Sequence, residues 1–209
     1  MLKLNNTMFN YLYPIYFPFI YSTASYIDYF LNKPDYHNYK DLFKKLDILF
    51  LNIYILIPIT FISLFYFQPI INIYDNFYRE IYLLLINIIF GDIWFYSLHR
   101  LFHNKILYKY IHKLHHSDKN PIGILSFHSH PIECIVVNMG SIYIIHYVFV
   151  CSTIQYFIVW TTIVFNSILS SHSRSYKNKK HHIHHKLLNY NFGVDIFMDR
   201  LFKTDRSTI

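Results

Sequence analysis

Three short stretches of this chain concentrate imidazole at spacings that suit metal binding. They are His99-Arg-Leu-Phe-His103, His112-Lys-Leu-His115-His116 and His181-His182-Ile-His184-His185. On a helix, residues i and i+3 or i+4 share a face. His99 and His103 therefore bring two rings to one side, and the HxxHH spacing beginning at His112 and again at His181 brings three each. Together these stretches supply eight nitrogen ligands: His99, His103, His112, His115, His116, His181, His184 and His185. A solvated surface has no reason to repeat that spacing. Twelve of the 14 histidines fall in the windows 99–130 and 172–185; His37 reads as a loop residue and His146 as a hydrogen-bonded core imidazole.

Eight neutral nitrogens are too many for one tetrahedral zinc. They suit two metals that each take five or six ligands. Imidazole accepts Fe, Zn, Cu and Ni, so ligand type leaves the metal open. The HExxH arrangement of zinc proteases needs a glutamate beside the first histidine, and Arg100 stands there instead. Carboxylates are few. Asp92, Glu133, Asp195 and Asp199 are the candidates, expected to orient imidazole N–H groups from behind. Asp92 lies two helical turns before His99, on the same face, and an ionisable group at the membrane end of a helix points to function. Cys134 and Cys151 read as buried thiols, since two cysteines in an apolar stretch make neither a disulfide framework nor a thiolate site.

These residues need elements to hold them, and the composition says which kind. The 209 residues suffice for one domain. Hydrophobic residues make up 54% and charged residues 15%, with a mean hydropathy of +0.22. Soluble domains carry about 25% charge. A disordered chain, a nucleic-acid-binding tail and an ordinary cytosolic enzyme are all disfavoured, and a membrane protein is favoured. The net charge of +7 then reflects the flanks of membrane spans rather than nucleic-acid binding.

Apolar runs cover residues 8–27, 48–74, 81–98 and 134–171. The last would make a helix of about 57 Å at ~1.5 Å per residue, against a hydrocarbon core of about 30 Å. It is read as two spans with a hairpin near 149–155, giving about five membrane segments. Pro14 and Pro18 interrupt the first, which is either re-entrant or interfacial; it has no small-residue cleavage site and is kept as part of the mature chain. If 81–98 exits into the cytosol, residues 32–47, 99–133 and 172–209 are cytosolic and hold 17 of the 19 basic residues, as the positive-inside rule expects. The expected fold is all-α: a multi-pass helical membrane protein with a cytosolic, histidine-rich helical cap. Residues 1–80 supply N-terminal membrane spans and residues 81–209 the chemistry.

The order HRLFH, HKLHH, HPIE at 130–133, HS at 172–173, HHIHH, then NYNFG and MDRLF, resembles the fatty acid hydroxylase/sterol desaturase superfamily over roughly residues 88–205. The segment from Asp92 to His99 resembles the approach to that family's first histidine box. The resemblance implies a non-haem di-iron centre and adds His130 and His172 to the eight ligands, with Asp92, Glu133 and Asp199 in support. It implies two Fe ions and O2 as co-substrate. Electrons would come from NAD(P)H through a separate carrier of the cytochrome b5 type, and the product would be a hydroxylated or desaturated lipid in lipid biosynthesis. The lipid would be a sterol or a long-chain fatty acyl or sphingoid chain, and HPIE before an apolar hairpin leans toward the sterol branch. The expected partners are the lipid substrate, the bilayer and the electron donor, with no nucleic acid. The expected location is the endoplasmic reticulum membrane, with the histidine boxes cytosolic.

The chain departs from the family pattern at Met198, where tryptophan is usual, and at Lys203, where glycine is usual. It also has eight residues between His172 and His181, a short interval. A metal transporter would need ligands along a path through the spans, which offer Asp92 and His146. An inactive relative is the other alternative, and the intact boxes argue against it.

Overall fold

The computed structural model describes residues 6–37, 41–67, 77–142, 152–173, 180–194 and 196–207. His146, Cys151, Asp195 and much of the expected 149–155 hairpin lie outside the described residues. Helix α1 spans Asn6–Leu31 and α2 Lys33–His37. Helix α3 covers residues 43–67, and α4 spans Phe77–Phe102. Then come α5 (Lys105–Tyr110), α6 (Pro131–Ile142), α7 (residues 153–172), α8 (Lys180–Leu187) and α9 (Met198–Leu201). The described residues are helical and carry no extended strand. That much of the expected all-α class is present.

Two helical segments among the described residues, Phe43–Ser63 and Phe77–Phe102, are long and apolar enough to cross a membrane. The apolar run at 134–171 forms parts of two shorter apolar helices, Pro131–Ile142 and Phe157–His172. Helix α1 continues through Pro14 and Pro18 without a break. Its Phe17, Ile20, Tyr21 and Ala24 are buried in the main core, together with Ile53, Ile57 and Phe61 of α3 and Val159, Trp160 and Val164 of α7. Phe17 meets Trp160 edge-on with ring centroids 5.2 Å apart.

Three helices contain π-helical turns, at Leu51–Leu56, Cys134–Met139 and Asn166–His172. Such turns recur at functional sites because they re-aim the side chains that follow. The first contains Asn52, fully buried, whose amide donates to the carbonyls of Phe127 at 2.9 Å and Ser129 at 2.8 Å. The third ends at His172. Cys134 is buried in the core as a free thiol.

Candidate metal centre

The histidines gather in two groups at the end of this bundle. His99, His103, His112, His116 and His184 form one; His115, His172, His181 and His185 form the other. Within each group the potential ligand atoms all lie within 4.8 Å of one another. A simple rule sorts them. Each i, i+4 pair goes to a single group: His99 with His103 and His112 with His116 to the first, His181 with His185 to the second. The i+3 member of each HxxHH stretch crosses over, so His115 joins the second group and His184 the first. Four rings of the first group come from the end of α4 (His99), the turn directly after it (His103) and the 3₁₀ turn His112–Ser117 (His112 and His116). His172, which closes the second, follows the π-helical turn of α7.

The nitrogens meet at close range. In the first group Nε2 of His99 is 3.1 Å from that of His112, His112 is 2.9 Å from His103 and from His116, and His184 is 3.1 Å from His116 and 3.2 Å from His103. In the second, His181 is 3.0 Å from His172 and 3.1 Å from His185. With metal–nitrogen bonds of about 2.0–2.1 Å, ligands at right angles stand about 3 Å apart.

The opposite ring nitrogens fix the tautomer. Nδ1–H of His99 donates to Phe192 O at 2.6 Å and that of His184 to Tyr190 O at 2.6 Å. His185 donates to Asp118 O at 2.8 Å, His172 to Ser167 O at 2.8 Å and His115 to His128 O at 3.4 Å. With the proton held on Nδ1, the Nε2 lone pairs face one another, and a shared cation is what relieves that arrangement. Desolvation keeps the rings neutral, the form that binds metal. It holds His103 down to about 2 and His115 down to about 4. His112, His116, His181, His184 and His185 are pushed the same way, by burial first and by their neighbours second. The donor set therefore fits two transition-metal ions, one per group.

The carboxylates divide. Glu133, buried on α6, puts Oε1 2.9 Å from His112 Nδ1, behind an imidazole as expected, although that N–H does not point squarely at it. Asp92 and Asp199 touch backbone instead, which corrects the expectation that they orient rings directly. Asp92 Oδ2 accepts from the amides of Phe197 and Met198 at 3.0 Å each. Asp199 accepts from the amides of Phe192 at 2.9 Å and Gly193 at 2.7 Å, and from the Thr204 hydroxyl at 2.8 Å. Asp92 thus ties the backbone at Phe197 and Met198 to α4, and Asp199 holds the backbone at Phe192 and Gly193, next to the Phe192 carbonyl that His99 uses. A β-carbon on Gly193 would lie 2.9 Å from Asp199 Oδ2, so any larger residue there must displace the Asp199 carboxylate.

His130 is a second correction: its ring joins neither group. Its Nδ1 accepts from the Ile132 amide at 3.2 Å and caps α6, in the manner of a polar N-cap. His182 and His128 also stand outside both groups.

Several supports carry no signal in histidine spacing. Asn191 adopts φ 57°, a left-handed conformation that asparagine tolerates. Its amide donates to Lys180 O at 3.0 Å and Arg206 O at 2.8 Å, which positions the Tyr190 and Phe192 carbonyls on either side. The NYNFG segment was the available clue. Asp28 of α1 is fully buried and accepts from Asn32 Nδ2 at 2.7 Å, Tyr36 OH at 2.6 Å and the Gly123 amide at 3.0 Å. Asn32 Nδ2 also donates to Ser173 Oγ at 2.9 Å, next to His172. The clue there was a charge at the end of an apolar run.

A cavity of about 380 Å³ opens against the two groups, within the size range of small-molecule sites. His99, His115, His172 and His181 line one end, and Leu84, Ile88, Ile142, Ile158, Val159 and Ile163 line the apolar remainder. On another side of the first group, a shallow depression is lined by Arg100, His103, Asn104, Asn189 and Phe192.

Residues 84–204 match the family model described as fatty acid hydroxylase. The chain is similar to methylsterol monooxygenase 1 of Rattus norvegicus, 31% identical over 178 residues, which are 76% of this chain and 60% of that protein. Fatty acid hydroxylase domain-containing protein 2 of Homo sapiens is 33% identical over 119 residues, 54% of this chain and 35% of that one. The C-4 methylsterol oxidase of Schizosaccharomyces pombe is 42% identical over 53 residues, 25% of this chain and 18% of that one. The chain thus matches about three fifths of the rat protein's length and smaller shares of the other two. No solved structure matches.

Proposed function

The chain belongs to the fatty acid hydroxylase/sterol desaturase superfamily, and from that premise we propose that it is a membrane-bound, non-haem di-iron oxidoreductase that hydroxylates or desaturates a lipid, with a sterol as the favoured class. The observation that carries this reading is the convergence of nine imidazoles into two groups, five of them with the tautomer fixed by a backbone carbonyl, beside an apolar cavity that four of them line. His99, His103, His112, His116 and His184 would hold one iron, and His115, His172, His181 and His185 the other. When bound, iron supplies what zinc lacks, a change of oxidation state that lets O2 and two electrons oxidise an unactivated C–H bond.

The protein's own residues do the rest. Apolar walls bind the lipid and exclude water from the histidine end. The carbonyls of Phe192, Tyr190, Asp118 and Ser167 hold the rings in one tautomer, and Glu133 backs His112. Exposed apolar side chains on the two long helices, including Ile59 and Ile62 of α3 and Leu85, Ile89 and Phe90 of α4, suit contact with lipid tails. This supports a multi-pass membrane protein whose substrate enters from the bilayer. Electrons would come from a separate carrier such as cytochrome b5, approaching the His103 depression from the cytosolic side of the endoplasmic reticulum membrane.

Lipid profiling of cells expressing the chain, against a His115→Ala control, tests the reading. An oxidised sterol that accumulates with the native chain and disappears in the control supports it. Identical profiles, from protein that carries its metals, would contradict it.

A further inference from the structure

Helix α3 contributes no ring to either histidine group, yet two of its polar side chains reach the backbone behind the second group. His115 and His185 donate their Nδ1 protons to the carbonyls of His128 and Asp118. Asn52 stands behind the first of these carbonyls. The Ser129 amide donates to Phe127 O at 3.0 Å, and His128 lies between them at φ −77°, ψ 86°, a three-residue turn of the inverse γ type. The Asn52 amide clamps that turn at both ends, at 2.9 Å to Phe127 O and 2.8 Å to Ser129 O. A hydroxyl has one donor and would hold one end. Asn52 is fully buried, and its Oδ1 has no partner among the described residues. A leucine would avoid that cost, so what the asparagine contributes is its hold on residues 127–129.

Lys45, at the start of the same helix, stands behind the second carbonyl. Its Nζ donates to Asp118 Oδ2 and, at 3.2 Å, to Ser117 Oγ. The Lys45 and Asp118 side chains are 12% and 20% exposed, so the pair is largely shielded from solvent. Ser117 and Asp118 directly follow His115 and His116 in the chain. We propose that Asn52 and Lys45 are positioning residues for the second metal: through the His128 and Asp118 carbonyls they aim the His115 and His185 rings at one point. The first group is supported from elsewhere. The carbonyls that hold His99 and His184, at Phe192 and Tyr190, flank Asn191, which is bound to Lys180 and Arg206. Substitutions at these two positions of α3 should therefore weaken one metal and spare the other. The inference rests on the paired-metal reading and makes an N-terminal helix a working part of the centre.

The test is chelator titration of the full chain in lipid nanodiscs, loaded with Co2+ and followed by its visible absorption. The step that His115→Ala removes belongs to the second group. Asn52→Leu should weaken that step about ten- to a hundredfold, the usual effect of losing a group that orients a ligand, and leave the other step unchanged. Lys45→Met should weaken it several-fold, and Lys45→Arg, which keeps the ion pair, should restore it. Lys45 is partly exposed, so its two variants decide the matter if Asn52→Leu does not fold. Ile57→Ala, a core truncation in the same helix, should lower thermal stability without changing the ratio of the two affinities. Equal weakening of both steps, a ratio that Ile57→Ala shifts as far as Asn52→Leu, or no rescue by Lys45→Arg overturns the inference and leaves the paired centre standing. A native chain that holds a single Co2+ removes both.

Discussion

The two histidine groups lie side by side, with the His116 and His185 rings 4.6 Å apart, yet they are built differently. The first draws four of its five rings from two i, i+4 pairs, one at the end of α4 and one in the 3₁₀ turn His112–Ser117, and Glu133 backs one of them. The second has one such pair, His181 with His185, and two single rings. One of those, His172, is placed by a π-helical turn, and the adjoining Ser173 is tied to α1 through Asn32 and Asp28. The first group thus takes four rings from one stretch of chain, 99–116, and one from far along it, whereas the second takes three of its four rings from 172–185 and one, His115, from the earlier stretch. The second also faces the cavity with three of its four rings, His115, His172 and His181. The group that contributes more rings to the cavity wall is the one more exposed to distant substitutions.

Removing one ring from each group should break this comparison most sharply. His112→Ala takes away the ring whose Nε2 meets three others, and His115→Ala removes the ring that crosses to the second group. Each variant should lose one of two metals and lipid oxidation should fall below detection; elemental analysis and product assay read the two effects. Next in size is Asp28→Asn, more than one chain region away from any ring. Losing charge-assisted hydrogen bonds from Tyr36 and Gly123 should cost about 1.5–3 kcal/mol in stability. Metal should be lost from the second group before the first, as read by chelator titration.

Acid should act more gradually. His115 is held down to about 4 and His103 to about 2 by burial, against 6.5 for a free ring. Below pH 6.5 the unfolded chain takes up protons that the folded chain refuses, so stability present above that pH is lost as it falls toward 4. Thermal unfolding of metal-stripped protein at pH 7, 6 and 5 should show a steady decline, and bound metal should reduce it. The smallest effects belong to residues outside both groups. His130→Ala should cost about 1 kcal/mol as a lost cap and leave both metals bound. Lys203→Gly should gain roughly 0.5–1 kcal/mol by relieving a left-handed backbone.

The first group was partly legible because helical spacing unites His99 with His103 at the end of α4; His112 and His116 sit on a 3₁₀ turn, where residues three apart eclipse, so their pairing needs the tertiary fold as well. What spacing hides is the crossover, since a ring three residues along a helix reads as a neighbour rather than as a ligand for a second ion. His130 misled because HPIE places it beside the boxes, whereas proline at the next position starts a helix that takes its ring as a cap. Asp92 and Asp199 were singled out as functional, but carboxylates can serve a metal site through backbone amides as well as through rings, and the sequence does not distinguish the two. The family pattern's usual glycine at Lys203 has a local reason: that residue adopts φ 56°. Among the described residues, two apolar segments, Phe43–Ser63 and Phe77–Phe102, are long enough to span; parts of the other expected segments lie outside the described residues.

Metal stoichiometry of the detergent-purified chain, measured together with His112→Ala and His115→Ala, tests the paired centre most directly. Two iron atoms per native chain and one in each variant is the predicted result. A native chain that holds a single metal under saturating iron, or a count that neither substitution changes, would contradict it.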